Sequence, residues 1–327
     1  MTQLAFTVCT NSHLAKAKSM ADSLRAFNPD LQLIIGVVDE LTSAIDSAFF
    51  APHTLLEIKN IGIPDFEKLL KQYNPFELSC LGKPCFADFL LQTNPDLTHL
   101  YYFDADVYFY DNISSIEVLL DHHDIVITAH SFVDLPNGGL PTMRGFLNSG
   151  LYNSGFFALK RSTESLKFVE WWKNRLRTEG YFNFAEGMFV DQLWLNFVPL
   201  LFKNVLIDPH LGHNVGYWNM HERTIAQTNG QYVVNETWPL VFFHFSGFSP
   251  SKPHQISVHQ DRYNLLDFPV LAGIFDAYGK SLLANNHAHY QSMPNAYFKP
   301  RFIVQKLSGL RKKLLIATRK LTRLLES

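Results

Sequence analysis

Two carboxylates one residue apart, Asp104 and Asp106, end an apolar run and stand in the segment Tyr101-Tyr-Phe-Asp-Ala-Asp-Val-Tyr-Phe-Tyr110. Side chains alternate along a strand, so acids at i and i+2 leave one face and can share a hard divalent cation through oxygen ligands at about 2.0–2.2 Å. The free positions of such an ion suit diphosphate oxygens. Paired acids also occur in turns and at helix caps, so the choice between a metal site and a local structural role rests on the rest of the chain.

Hydrophobic periodicity gives the elements that must hold these acids. Residues 4–9 read as a strand, and residues 12–27 carry Leu14, Ala17, Met20, Ala21 and Leu24 at helical spacing. Asn28-Pro29-Asp30 stops that helix, and residues 31–38 form the continuous apolar run of a buried parallel strand. This is a βαβ opening. Residues 84–92 predict a helix with Pro84 in its first turn, and Asn94-Pro95-Asp96 breaks it before a strand over 97–103. The acids therefore fall at a strand's carboxyl end, where open α/β sheets bind ligands. Strands are expected over 124–128 and 155–159, and helices over 163–177, capped by Ser162 or Thr163, and over 190–196. Residues 131–148 form either a lid or an ordinary surface connection. Residues 208–236 are long and aperiodic, as functional segments tend to be.

With 327 residues and 47% hydrophobic content, the chain can form one large or two closely packed domains around a sizeable core. Its 28 Phe, 13 Tyr and 5 Trp exceed the usual needs of such a core, so some rings are expected to line a ligand groove. A net charge of −2 gives no global pull toward nucleic acid. The three cysteines, Cys9, Cys80 and Cys85, fit neither a zinc ribbon nor a disulfide framework, which favours a reducing compartment. Residues 1–10 read as a strand instead of a signal peptide, and no run approaches about 18 consecutive apolar residues. A cytoplasmic protein is the expectation. Residues 301–327 change character: Ile303, Leu307, Leu310, Leu314, Ala317, Leu321 and Leu324 recur among Lys306, Arg311, Lys312, Lys313, Arg319, Lys320 and Arg323, with the single acid Glu326. Such a basic amphipathic helix suits a coiled-coil seam, a core-docking helix, or, through residues 301–325, the anionic inner face of a membrane.

Four features in order carry a family likeness: Asp104-Ala105-Asp106, Asn153-Ser154-Gly155, Asp191-Gln192, and His244-Phe-Ser-Gly247 followed by Lys252-Pro253. Together they resemble the nucleotide-sugar glycosyltransferases of the GT-A fold, nearest the retaining glycogenin and lipooligosaccharide-galactosyltransferase group. The likeness implies an α/β fold with a Rossmann-like mixed sheet flanked by helices. It divides the chain into a catalytic domain over 1–255, with nucleotide-binding and donor-sugar/acceptor halves at 1–130 and 131–255, and a helical extension over 256–327.

The same resemblance implies the site. Asp104, Asp106 and His244 would hold Mn2+ or Mg2+, an imidazole beside two carboxylates favouring Mn2+; taken alone, a histidine within Val241-Phe-Phe-His-Phe245 reads as a core residue. Gly247 would let backbone approach a diphosphate that Lys252 neutralises, across a Gly-to-Lys stretch longer than the family's. Asn153, Ser154, Asp191 and Gln192 would flank the donor sugar, although Asp191 could equally serve a helix dipole. Thr7, Thr10, Asn11 and Asp39 resemble base and ribose contacts. Lys83 lies where the family has a basic helix near the diphosphate, the family's arginine being replaced around Asp88. Tyr217 and Trp218, with Asn219, His221 and Arg223, would either stack on a sugar or hold their loop together.

The implied activity is transfer of a sugar from a UDP-type nucleoside diphosphate to a hydroxyl of a saccharide or glycolipid acceptor, such as an envelope glycan, with retention. One rival is a sugar-nucleotide pyrophosphorylase, whose usual glycine-rich basic loop is replaced here by Thr10-Asn-Ser-His-Leu-Ala-Lys16. The other is a non-catalytic carbohydrate-binding or membrane-associated scaffold on the same fold.

Overall fold

The expected crossover opens the chain: β1 (Thr2–Cys9) leads through α1 (Leu14–Phe27) into β2 (Gln32–Val37), paired in parallel with β1. α1 buries Leu14, Ala17, Met20, Ala21 and Leu24, the face that the spacing marks. A third parallel strand, β3 (Thr54–Glu57), precedes α2 (Phe66–Gln72) and α3 (Pro75–Thr93). The computed structural model describes residues 2–298, so the basic helix expected over 301–327 lies outside the described residues.

α3 corrects the expectation of a helix starting at Pro84. Its start is Pro75, where Asn74 accepts hydrogen bonds from the N–H groups of Phe76 (2.9 Å) and Glu77 (3.0 Å) while Glu77 accepts from Asn74 N–H at 2.9 Å. This reciprocal cap, with proline at the first position, sets the helix going well upstream. Pro84 falls in the interior, where it removes one intrahelical bond and tertiary packing carries the helix through.

β4 (Leu97–Phe103), β5 (Val107–Phe109), α4 (Ser114–His122) and β6 (Ile125–Ala129) follow. The segment read as lid or loop contains a helix, α5 (Met143–Ser149), capped by Thr142, whose hydroxyl accepts from Gly145 N–H at 3.0 Å. Next come β7 (Tyr152–Lys160), α6 (Thr163–Glu179), the short hairpin β8 (Phe182–Asn183) and β9 (Met188–Phe189), α7 (Val198–Leu201) and β10 (Val205–Ile207). Ser162 caps α6. Residues 192–197 form a 3-10 turn in place of the expected helix. The aperiodic stretch carries a hairpin, β11 (Ile225–Thr228) and β12 (Gln231–Val234), joined by β13 (Trp238–Pro239). β14 (Phe242–His244), α8 (Pro269–Ala284) and α9 (His287–Gln291) complete the described chain.

The main sheet has seven strands in the order β10-β6-β7-β4-β1-β2-β3, with β7 antiparallel to both neighbours and the other pairs parallel. One face packs Phe6, Tyr102 and Phe157 against α3 and α6, where Phe168 and Trp172 are buried. The other packs Tyr101, Phe103 and Phe156 under α1 and the β5–β14 ribbon. α8 closes a third cluster with Phe275 and Tyr278 on Phe243, Phe245 and Phe248. The aromatic excess is thus largely core; few rings face a groove. Among the described residues, no helix is long and apolar enough to cross a membrane.

Phe242 fixes β14 to the rest: its ring lies 5.3 Å from Phe103, 5.5 Å from Phe109 and 5.2 Å from Phe156, fully buried. Phe242→Ala is expected to cost about 3–5 kcal/mol in chemical denaturation, and Phe242→Leu markedly less. A loss for alanine below about 1 kcal/mol would show that this ring does not anchor the strand.

Candidate active site

β4 ends at Phe103, and the acids occupy the turn into β5, closed by Val107 N–H donating to Asp104 O at 3.1 Å. This corrects the expectation that strand alternation aligns them. The turn still brings them together, because Asp104 N–H donates to Gly155 O at 2.8 Å and Phe245 N–H to Asp106 O at 2.8 Å. Antiparallel pairing of β14 with β5 sets His244 opposite Val107. His244 Nε2 then lies 3.1 Å from Asp106 Oδ1 and 3.7 Å from Asp104 Oδ2. One ligand atom from each of Asp104, Asp106 and His244 falls within 4.8 Å of the others.

The donor set fits a divalent ion. His244 Nδ1 lies 3.1 Å from Asn214 Oδ1, while Asn214 Nδ2 donates to Thr128 Oγ1 (2.8 Å) and Asn153 Oδ1 (3.0 Å). With its amide nitrogen so committed, Asn214 offers only an oxygen to the ring, which places a proton on Nδ1 and turns Nε2 toward the acids. Gly155 makes room for this: a Cβ there would sit 2.2 Å from His244 Cε1. The strand expected at 155 begins at Tyr152, so Asn153, Ser154 and Gly155 form no turn but an irregular part of β7, whose register with β6 shifts between Ile127 and Thr128.

Cations surround the acids. Lys83 Nζ lies 3.1 Å from Asp104 Oδ1 and 2.9 Å from Asp191 Oδ2, and donates to Ser154 O and Oγ, both at 3.2 Å. Burial works against its charge, but Asp104 and Asp191 outweigh that and hold Lys83 above the usual lysine value. Lys16 Nζ lies 3.5 Å from Asp106 Oδ2. Burial likewise opposes ionisation of Asp106, yet Lys16 and His244 hold its carboxyl well below the usual range. Tyr102 OH donates to Asp104 Oδ1.

A cleft of about 340 Å³ opens beside these groups, lined by Cys9 at the end of β1 and Thr10, Ser12 and His13 after it, by Phe76, Ser79, Cys80 and Lys83 of α3, and by Asp104, Ala105 and Asp106. It lies at the carboxyl ends of β1 and β4, the ligand edge of an open α/β sheet. Burial pushes the Cys9 and Cys80 thiols up, so neither is a ready nucleophile. Asp191 makes no side-chain cap to the 3-10 turn that follows it; its carboxylate faces Lys83 instead. Gln192 Oε1 accepts from Ser154 N–H at 3.2 Å, and its Nε2 donates to Ser149 O at 2.9 Å. Asn153 Nδ2 lies 3.2 Å from His130 Nε2, and burial pushes His130 down to about 4, so the neutral ring accepts.

Other expected contacts stand apart from the cleft. Thr7 and Asp39 are fully buried, and Asn11 nearly so. Asn11 Nδ2 donates to Glu40 O at 2.8 Å, and Asp39 Oδ1 accepts from Glu40 N–H (3.0 Å) and from Ala296 N–H (2.7 Å) near the end of the described chain. Asn295 Nδ2 reaches Val38 O at 3.5 Å. Gly247 adopts φ +74°, and Lys252 is exposed. Asp88 pairs with Lys173 of α6, away from the acids. Of the aromatic loop, Trp218 is buried edge-on to His244 at 5.0 Å and Arg223 donates to Leu211 O and His213 O, so these residues hold the loop. Sequence reasoning missed Asn214, Tyr102 and Lys16. Tyr102, two residues before Asp104, was the one with a local signal.

The seven-stranded mixed sheet, with acids and an imidazole gathered at its ligand edge, defines a GT-A fold protein. The glycosyltransferase GlyE of Streptococcus pneumoniae TIGR4 shares this fold, with a TM-score of 0.50 and 14% identity over 90% of this chain and 65% of that one. No family model matches the chain. The uncharacterized protein YfnF of Bacillus subtilis is 30% identical over 256 residues, 76% of this chain and 82% of YfnF. The uncharacterized YfnD of the same strain is 23% identical over 252 residues, 74% of this chain and 77% of YfnD. The chain belongs to the family of YfnF.

If Asn214 orients the imidazole, Asn214→Ala should weaken Mn2+ binding about 10–100-fold, read by electron paramagnetic resonance of free Mn2+. Affinity within about twofold of the native value, in a variant that keeps its melting temperature, would show that the ring needs no orienting partner.

Proposed function

We propose that this protein transfers a sugar from a nucleoside diphosphate donor of UDP type to a hydroxyl of a saccharide or glycolipid acceptor, using Mn2+ held by Asp104, Asp106 and His244. The observation that carries the reading is the convergence of those three side chains, with both carboxylates lining the cleft. A shared fold with a glycosyltransferase supports it. When bound, the cation supplies a positive charge that offsets the one building on the departing diphosphate.

The chain's own residues perform the rest. Lys83, kept protonated, ties Asp104 to Asp191, so the donor-sugar side and the diphosphate side of the site keep a fixed relation. Asn153, Ser154 and Gln192 form a hydrogen-bonded wall with little freedom to rearrange, which is the condition for orienting a sugar. Asp191 and Gln192 would supply the group that retention needs near the anomeric carbon, either as the site of a brief glycosyl adduct or as support for front-face attack. In front-face attack the bond from the anomeric carbon to the diphosphate oxygen breaks, the acceptor oxygen bonds to that carbon, and the acceptor's proton passes to the departing diphosphate. The nucleoside end belongs toward Thr10, with Thr7, Asn11 and Asp39 backing that wall from inside.

Thermal denaturation against a panel of nucleotide sugars tests this. One donor class should stabilise the protein only with Mn2+, by about 2.7 kcal/mol at a hundredfold excess over Kd, and Asp104→Asn should abolish both that shift and sugar transfer. Full activity in Asp104→Asn, or no shift with any nucleotide sugar, would overturn the assignment.

A further inference from the structure

We propose that Lys16, and not Lys252, is the side chain that receives the donor's diphosphate. The inference rests on the sugar-transfer reading and names a residue that reading leaves unassigned.

Lys252 is poorly placed for the task. Its backbone N–H donates to Ser249 O at 2.9 Å in an exposed turn, and Ser251, Lys252, Pro253 and His254 are all exposed. Among the described residues, its ammonium makes no ion pair or hydrogen bond. Upstream, Gly247 is closed over by the returning chain: a Cβ on it would sit 2.5 Å from Ser257 Oγ and 2.7 Å from His259 Cδ2. The loop carrying Lys252 therefore leaves and re-enters at Gly247, with Phe248 pinned in the α8 cluster.

A donor inventory separates the two lysines that remain. An ammonium has three N–H donors and no acceptor. Lys83 faces Asp104, Asp191 and two oxygens of Ser154, so its donors are fully used. Lys16 has a single protein partner among the described residues, Asp106 Oδ2 at 3.5 Å, the loose end of hydrogen bonding. Two of its donors are uncommitted, although its side chain is only 12% exposed. Lys16 does not itself line the cleft; it sits in the first turn of α1, just after Ser12 and His13, which do, and its ammonium meets Asp106, which lines the cleft too.

The remaining neighbours leave it without competition. His13, His259 and His287 lie within electrostatic reach of Lys16, and each is pushed down chiefly by burial, so they are neutral near pH 7 and Asp106 is the acid it faces. A nearly uncharged chain attracts a diphosphate only through local charge. An uncommitted ammonium beside the acids supplies it, on a flexible stem that can exchange Asp106 for a phosphate oxygen.

Calorimetric titration in MnCl2 tests the assignment, using whichever of UDP, dTDP, GDP, ADP or CDP binds the native protein, with its nucleoside and monophosphate. Lys16→Ala should weaken the diphosphate about tenfold or more and the nucleoside less than about twofold, while Lys16→Arg restores most of the loss. Lys252→Ala should leave all three within about twofold. Without nucleotide, Lys16→Ala should bind Mn2+ tighter, because Asp106 loses a competing cation; a misfolded variant would bind it more weakly. Unchanged diphosphate affinity in Lys16→Ala, an equal loss on the nucleoside, or a loss that moves to Lys252→Ala would overturn the inference. If Asp104→Asn still abolishes metal-dependent donor binding in that event, the sugar-transfer reading stands without Lys16.

Discussion

The site depends on one long-range pairing. β5 and β14 are short, and their union sets an imidazole from position 244 against acids at 104 and 106. Backbone bonds alone would hold such a ribbon weakly. Its firmness comes from Phe103, Phe109, Phe156 and Phe242, which pack tightly beneath it, and from α8, whose Phe275 and Tyr278 cover the opposite face of β14. The aromatic abundance of the chain is explained here: flat, stiff rings fix strand positions at small entropic cost.

The second constraint is charge. Asp104, Asp106 and Asp191 are held in a confined space, and like charges at such range are tolerated only with counter-charge. The chain builds that in with Lys83, saturated and fixed, and Lys16, loosely engaged. The two lysines differ in kind. One is part of the framework, and the other is in exchangeable contact.

Much of this was legible in the residues. The βαβ opening, the strand at 97–103 and the capped helix after Ser162 follow from local signals, because periodicity and caps act within a few residues. The acids and histidine came from motif order, and the geometry unites them by a route that alternation did not foresee, a turn tied to Gly155 and Phe245. Pro84 misled because a distal cap at Asn74 overrode it. Asn214 was invisible: its importance arises from three partners at positions 128, 153 and 244, and no spacing encodes that. Asp39 had the right residue type, but it is buried and its Oδ1 takes the N–H of residue 296, a contact only the folded chain reveals.

That last contact has a spatial consequence. Ala296 and Asn295 fasten the late chain to Asp39 and Val38, immediately after the carboxyl end of β2. β2 runs parallel to β1, so its end points the same way as the one that opens on the cleft. Asn295 and Ala296 are consequently tied down at the ligand edge of the sheet, the edge on which the cleft opens.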